Sequence, residues 1–229
     1  MHRGLVILSA LVLLLATTVG VASADTSGGC TGATQCRTSG TGVDGSWSSV
    51  PVDGPVIGQI YTDTYVAASK SMTSSRGVRT STAGLWFSQF TYRFDGPDQK
   101  PTPIGDSFVV DFGTDLVVTI DGKLRTASVS GTAMVVSCTI DSDYNETCGD
   151  PVATAVRGTW TATGPALKTT YSYRAKGPGF TMSDSFSGTQ RAAAAAVTID
   201  GNAVPGTSYW ASISNSKSRS ISICHAITC

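Results

Sequence analysis

Apolar and polar residues alternate with a period of two along several stretches of the chain. In residues 86–94 one face of an extended segment carries Trp86, Phe90, Tyr92 and Phe94, and the other carries Gln89, Thr91 and Arg93. Residues 108–112 alternate in the same way, and a bulge at Gly113 would let residues 116–120 continue with the same parity. Because successive side chains of a strand point to opposite faces, this pattern predicts β-strands.

Turn signals and composition extend the β prediction to most of the chain. Asp121-Gly122 predicts a hairpin whose returning strand covers residues 123–138. Residues 59–66 predict a further strand. Residues 192–196, five alanines, are the one serious helix candidate after the first 24 residues, but they align with strand residues of the repeat described next. Thr, Ser, Val and Gly are frequent and helix formers are scarce, which is typical of an all-β protein.

Short motifs that recur in the same order indicate an internal duplication. Their offsets are 78 to 81 residues, and the two copies cover about residues 77–148 and 155–229. Each copy holds too few strands to be stable alone, so we expect the copies to pack together as an antiparallel β-sandwich or barrel. The recurring pairs are Val78-Arg79 with Val156-Arg157, Tyr92–Pro97 with Tyr173–Pro178, Asp106–Phe108 with Asp184–Phe186, and Val118–Gly122 with Val197–Gly201.

The first 24 residues have the pattern of a cleaved signal peptide. Arg3 precedes an apolar stretch over residues 5–21, and Ala22-Ser23-Ala24 places small residues where a signal peptidase reads them. An uncleaved membrane anchor is the alternative, but the small polar residues that follow favour cleavage before Asp25. We therefore expect a secreted protein with no membrane span in its mature chain. Its expected parts are a signal peptide at 1–24, a Gly/Ser/Thr-rich arm at 25–50 and one β domain at 51–229.

The charge of the mature chain is nearly balanced. Arg3 leaves with the signal peptide, so 15 of the 16 basic residues stand against 16 acidic ones, a net charge of −1. No run of basic residues occurs anywhere in the chain. The sequence therefore gives no electrostatic reason to expect binding to nucleic acid or to an anionic membrane.

All six cysteines lie in the mature chain, and an even number in an exported protein predicts three disulfides. Each copy of the repeat ends in a strand, a cysteine, a short loop and a second cysteine. This spacing predicts the local pairs Cys138–Cys148 and Cys224–Cys229, which leaves Cys30 with Cys36. A zinc site would need closer cysteine pairs and more histidines.

Catalytic signatures are scarce. His225 is the one histidine of the mature chain, and no serine stands in a G-x-S-x-G elbow. Two aspartate pairs are the enzymatic alternative, as the acid and base of a polysaccharide hydrolase. Asp106 and Asp184 are repeat equivalents, and Asp111 and Asp115 are neighbours in sequence. Residues retained in both copies are more typical of a shared fold than of a catalytic site.

An acidic loop offers a weak metal site. Asp141, Asp143 and Asn145 have the spacing that begins a calcium loop. Glu146 then stands where such a loop needs glycine, and Val152 stands where it needs a bidentate glutamate. An acidic hairpin tip closed by a disulfide is the favoured interpretation, and no cofactor is predicted.

Four aromatic residues lie among small polar residues and are the candidate binding residues: Trp47, Trp160, Tyr209 and Trp210. Rings in such surroundings serve as platforms for sugars or partner surfaces, although core packing is the alternative. The leading hypothesis is a non-catalytic, secreted or cell-surface protein that binds a carbohydrate or a cell-surface protein. The alternatives are an aspartate-dependent polysaccharide hydrolase and a factor acting on a protein partner.

Overall fold

The computed structural model describes residues 34–75, 77–177 and 180–224, so the predicted signal peptide lies outside the described residues. The described residues form β-strands and no helix, which confirms the predicted all-β class. They include no helix that could cross a membrane. The strands are β1 (Thr34–Ser48), β2 (Ile60–Ser75), β3 (Val78–Arg93), β4 (Thr102–Phe112), β5 (Val117–Ile120), β6 (Thr126–Ile140), β7 (Glu146–Cys148), β8 (Val152–Ala162), β9 (Leu167–Gly177), β10 (Phe180–Ile199), β11 (Asn202–Ala203) and β12 (Thr207–Cys224).

Eight of these strands are joined edge to edge in a closed ring. Its order is β1–β2–β3–β4–β6–β8–β10–β12, and β12 pairs with β1 to complete it. Every pairing in the ring is antiparallel. β5 and β7 add to β6, whereas β9 and β11 add to β10. The strands are thus joined in a ring instead of being divided between two separate sheets.

Two tryptophan side chains fill much of the interior of the ring of strands, and each lies over a glycine two residues earlier in its strand. A Cβ atom on Gly45 would lie 2.6 Å from the ring of Trp47, and one on Gly158 would lie 2.6 Å from the ring of Trp160. The Trp160 indole N–H donates a hydrogen bond of 2.8 Å to the backbone carbonyl of Asp44. This bond satisfies the polar atom that burial of the indole would otherwise leave unpaired. Gly-x-Trp is therefore a packing unit that occurs on β1 and again on β8.

Aliphatic side chains and one phenylalanine complete the core around the tryptophans. They come from alternate positions of the ring strands, which is the arrangement that a period of two predicts. The largest of them are Val43, Val66, Leu85, Phe87, Val129, Val156, Val197 and Ile213.

Several strands are longer than the ring and continue past the core as an open sheet, here called the extension. Its strands follow the order β3–β2–β1–β12–β10–β9, and its inner and outer faces continue those of the ring. Serine, threonine and glycine dominate it, and hydroxyls bond across strands, as between Ser71 and Thr82 (2.6 Å). It comprises residues 34–42, 69–75, 78–84, 167–177, 180–190 and 214–224.

The predicted arm at residues 25–50 differs from the structure over the described part. Residues 34–48 form β1, which lies between β12 and β2 in the ring. Glycine, serine and threonine resembled a linker in the sequence, but here their small side chains lie between two long neighbouring strands. The arm that was predicted outside the β domain is therefore a ring strand from Thr34 onward.

The predicted turns and strands agree with the structure in most places. Asp121-Gly122 opens the β5–β6 hairpin, but Leu124 adopts a φ of 55° and the returning strand begins only at Thr126. The bulge predicted at Gly113 lies earlier, between Val109 and Asp111. The alanines at 192–196 lie within β10, as predicted.

The predicted bridge between Cys138 and Cys148 is confirmed. The two residues are direct partners in the β6–β7 ladder and form a disulfide. Cys36 is also disulfide-bonded. Its predicted partner Cys30 and the predicted partner of Cys224, Cys229, lie outside the described residues.

Candidate functional site

The structure separates the four aromatic residues that the sequence proposed for binding. Trp47 and Trp160 are 4% and 1% exposed and belong to the core, so neither ring can stack on a ligand at the surface. Trp210 is half-buried, and Tyr209 is 55% exposed. A bulge in the β1–β12 ladder places both Tyr209 and Trp210 opposite Ser46 on the outer face.

Two exposed rings on β3 were not proposed from the sequence. Trp86 is 60% exposed and Phe90 is 42% exposed on the outer face of the ring. The alternate residues Leu85 and Phe87 point inward and are buried. β3 therefore carries apolar side chains on both faces. Only the inner face of β3 packs in the core. The apolar side chains on its other face were therefore the signal in the sequence for an exposed aromatic surface.

The strand register brings these rings together with others in one area, here called the aromatic face. It consists of Tyr65, Trp86, Phe90, Tyr92 and Tyr209. Phe90 and Tyr92 follow each other on β3 with ring centroids 5.7 Å apart, and Tyr61 lies 6.2 Å from Tyr92.

Asp63 lies within the aromatic face, directly opposite Phe90 in the β2–β3 ladder. Burial raises its pKa, and the nearby hydroxyls of Ser48 and Tyr92 partly oppose that shift. Burial and the Asp63 carboxylate also raise the pKa of Tyr92 to about 12, so its phenol is protonated at neutral pH. One carboxylate oxygen of Asp63 is buried with no hydrogen-bond partner among the described residues.

A pocket of about 260 Å³ opens next to Trp86. Phe112 and Tyr65 contribute to its walls, and Asp44 is at its base. The Asp44 side chain accepts a hydrogen bond of 2.6 Å from the Ser212 hydroxyl, and burial raises its pKa to about 6. The hydroxyl of Tyr65 is buried without a partner among the described residues, and burial beside Asp44 raises its pKa to about 12.

The aromatic face thus combines exposed apolar rings with the half-buried carboxyl group of Asp63. Rings stack on the apolar faces of pyranose sugars, and carboxylates accept hydrogen bonds from sugar hydroxyls. A ligand of this kind satisfies both properties at once.

The structure does not bring the repeat-equivalent pair Asp106 and Asp184 together. Asp106 lies near the closed part of the ring, whereas Asp184 lies opposite Ser220 in the extension, so the two are far apart. Asp115 accepts hydrogen bonds from the backbone and hydroxyl of Thr132, and Asp111 accepts one from the backbone N–H of Phe112. Through these hydrogen bonds both carboxylates stabilise the backbone of their own part of the chain.

Asp106 has a different acidic neighbour from the one proposed. It is opposite Phe90, which is in turn opposite Asp63, so the two aspartates flank one exposed ring. Two strand spacings place their Cα atoms roughly 10 Å apart. One Asp106 carboxylate oxygen is buried without a partner among the described residues.

The acidic loop at 141–145 is a tightly closed hairpin tip. The Asp141 carboxylate accepts hydrogen bonds from the backbone N–H groups of Asp143 (2.8 Å) and Asn145 (2.9 Å). These bonds orient Asp141 toward its own turn, as expected of an Asx-type turn. A second potential ligand group consists of Cys138, Glu146 and Cys148, but its two thiols form the disulfide.

Comparisons with protein-family models, with curated proteins and with solved structures found no match for this chain.

Proposed function

We propose that the protein is a secreted, non-catalytic binding protein whose aromatic face holds a carbohydrate. The observation that carries the proposal is the exposure of Trp86, Phe90 and Tyr209 on the part of the outer face that also contains the half-buried Asp63. Exposed rings in such numbers have no role in the core, which is already filled by Trp47 and Trp160. The predicted signal peptide and the disulfides support a location outside the cell.

A second candidate function is hydrolysis of a polysaccharide. Asp63 and Asp106 flank Phe90, with Cα atoms roughly 10 Å apart, and an inverting glycosidase places its two carboxyl groups about 6.5–9.5 Å apart. The raised pKa of Asp63 is the property of a general acid. After the predicted signal peptide the chain has one histidine, His225, and one glutamate, Glu146, so most of its candidate acids and bases are aspartates.

We further propose that the ring derives from a duplicated unit. In the first predicted copy β3, β4 and β6 are consecutive neighbours, and in the second copy β9, β10 and β12 have the same relation, with β9 lying in the extension beside the ring. The recurring Asp-Gly turns follow corresponding strands, after Ile120 in the first unit and after Ile199 in the second.

Co-sedimentation with insoluble polysaccharides tests the proposed function. The purified mature protein would be mixed with cellulose, chitin and insoluble xylan, and the supernatant would be assayed for released reducing sugar. We expect protein in one of the pellets without release of sugar. Release of sugar that Asp63→Asn or Asp106→Asn abolishes would establish the hydrolase instead, and absence from every pellet would contradict both functions for these polymers.

A further inference from the structure

The exposed cations of the extension share its inner face. Their parity follows from the strand register, in which paired residues point to the same side of the sheet. Two of these cations, Lys70 and Lys168, lie nearest the ring. The other six lie farther along the extension, and all of them are exposed: Arg37, Arg79, Arg174, Lys176, Lys217 and Arg219.

No acidic side chain balances these cations on the same face among the described residues. Asp184, the one acidic residue in the described part of the extension, is opposite Ser220 and Tyr173 and therefore points to the outer face. The near-neutral net charge of the chain conceals this separation. Because each strand carries its cations at alternate positions, no basic run is visible in the sequence.

Arg37 and Arg219 are direct partners in the β1–β12 ladder. Like charges placed opposite each other destabilise a sheet. Gln35 lies between them, and its amide oxygen can accept from Arg37 (2.7 Å) and Arg219 (3.0 Å) at once. Arg79 continues the same row two strands away, so the three guanidinium groups come from strands that span roughly 14 Å. The Gln35 amide carries no charge and offsets this repulsion only in part, so a bound anion would relieve the remainder.

Four of these cations, Arg37, Arg79, Lys217 and Arg219, line a groove of about 440 Å³. Serine hydroxyls of β1, β2 and β10 stand between them, and Met72 is its one large apolar side chain on the inner face. A surface with so few apolar side chains lacks the anchors that insert into a membrane. Phe186, at an outer-face position of β10, is the one aromatic residue that lines the groove, so nucleic-acid bases would find no row of rings on which to stack.

We propose that this basic groove binds an acidic polysaccharide, with guanidinium and ammonium groups on its carboxylate or sulfate groups and serines on its hydroxyls. Arginine binds such planar and tetrahedral anions with paired hydrogen bonds. This site is separate from the aromatic face, because it lies on the opposite face of the sheet and toward the far end of the strands.

Binding of a heparin oligosaccharide, measured by calorimetry with neutral dextran as a control, tests the proposal. The charge-reversed variant Arg37→Glu/Arg219→Glu is compared with Lys100→Glu/Lys123→Glu, which changes the net charge equally at exposed positions elsewhere. We expect the first variant to raise the Kd about tenfold or more and the second to change it less than about twofold. Arg37→Gln/Arg219→Gln provides a milder change, and urea unfolding verifies that each variant is folded.

Three results would overturn the proposal: no binding of heparin, an equal loss in both charge-reversed variants, or tighter binding to phosphatidylserine vesicles or single-stranded DNA. Trp86→Ala separates this site from the proposed function. It should weaken carbohydrate binding at the aromatic face and leave heparin binding unchanged.

Discussion

Asp44 is a buried carboxyl group in the wall of the ring. Its side chain is bonded to Ser212, and its backbone carbonyl accepts the Trp160 indole N–H. Burial disfavours the charged form and raises the pKa of Asp44 from 3.8 to about 6. The same residue therefore supports the core through its backbone and makes the stability of the ring sensitive to pH.

The direction of this sensitivity follows from the shift. The folded protein holds the Asp44 proton more tightly than the unfolded chain, so the stabilisation is complete below about pH 4 and is lost as the pH rises through about 6. The free energy of unfolding of the wild type, relative to Asp44→Asn, should fall by about 3 kcal/mol between those limits. Urea unfolding at a series of pH values measures it, and a difference that is flat or rises with pH would show that Asp44 is not buried in this way.

Gly158 leaves room for the Trp160 ring, and this contact gives a second prediction. Gly158→Ala should destabilise the protein by about 1–3 kcal/mol, because the added methyl group overlaps a ring that cannot move within the core. Gly84→Ala is the matched control, since its Cβ would lie 3.7 Å from the nearest atom, the Ser69 hydroxyl. Equal effects in the two variants, measured by urea unfolding, would contradict the proposed packing.

The sequence contains a signal for the burial of Trp47 and Trp160, and it differs from the one that their polar neighbours suggest. Small polar neighbours suggested exposed platforms for Trp47 and Trp160, whereas the glycine two residues before each ring marks a site where a ring lies over the strand backbone. Trp86 also follows a glycine at this spacing, Gly84, yet its ring points outward. Which face of β3 is inside depends on how the eight strands close into the ring of strands.

At the scale of elements, the β6–β7 hairpin depends on its disulfide. β7 is three residues long, and its exposed side chains bury little apolar surface. Cys138→Ala/Cys148→Ala should lower the free energy of unfolding by about 2–3 kcal/mol, because the bridge restricts the unfolded chain over a loop of ten residues. Ser137→Ala is a control in the same strand. No loss in the double variant would mean that the hairpin tip opens independently of the ring.

Strands in which apolar and polar residues alternate strongly could be predicted from the sequence, but the ends of the strands in the extension could not. Ser, Thr and Gly carry little hydropathy signal, so β1 resembled a linker and β2 was expected over only part of its length. The alanines of β10 were placed correctly because the repeat supplied information that propensity alone did not.

At the scale of the molecule, ring closure joins β1 to β12, the first and last strands of the described chain. A pairing across such a sequence distance leaves no local signal, which is why a sandwich and a barrel could not be distinguished beforehand. The same closure determines which strand faces point outward. It thereby collects the aromatic residues in one area and the cations in another, and neither grouping is visible as a run in the sequence.

Exposed tyrosines of the extension provide a matched control for the central claim that the aromatic face binds carbohydrate. Tyr171 and Tyr173 lie on the outer face of β9, away from Trp86 and Phe90. Their removal deletes a comparable area of exposed ring at a different place.

Calorimetric titration with soluble oligosaccharides of the polysaccharide that sediments the protein is the most direct test. Trp86→Ala/Phe90→Ala should weaken binding about tenfold or more, which corresponds to about 1.4 kcal/mol, because two stacking rings are lost. Tyr171→Ala/Tyr173→Ala should bind as the wild type does. Unchanged affinity in the first variant, or an equal loss in both, would show that the aromatic face is not the carbohydrate site.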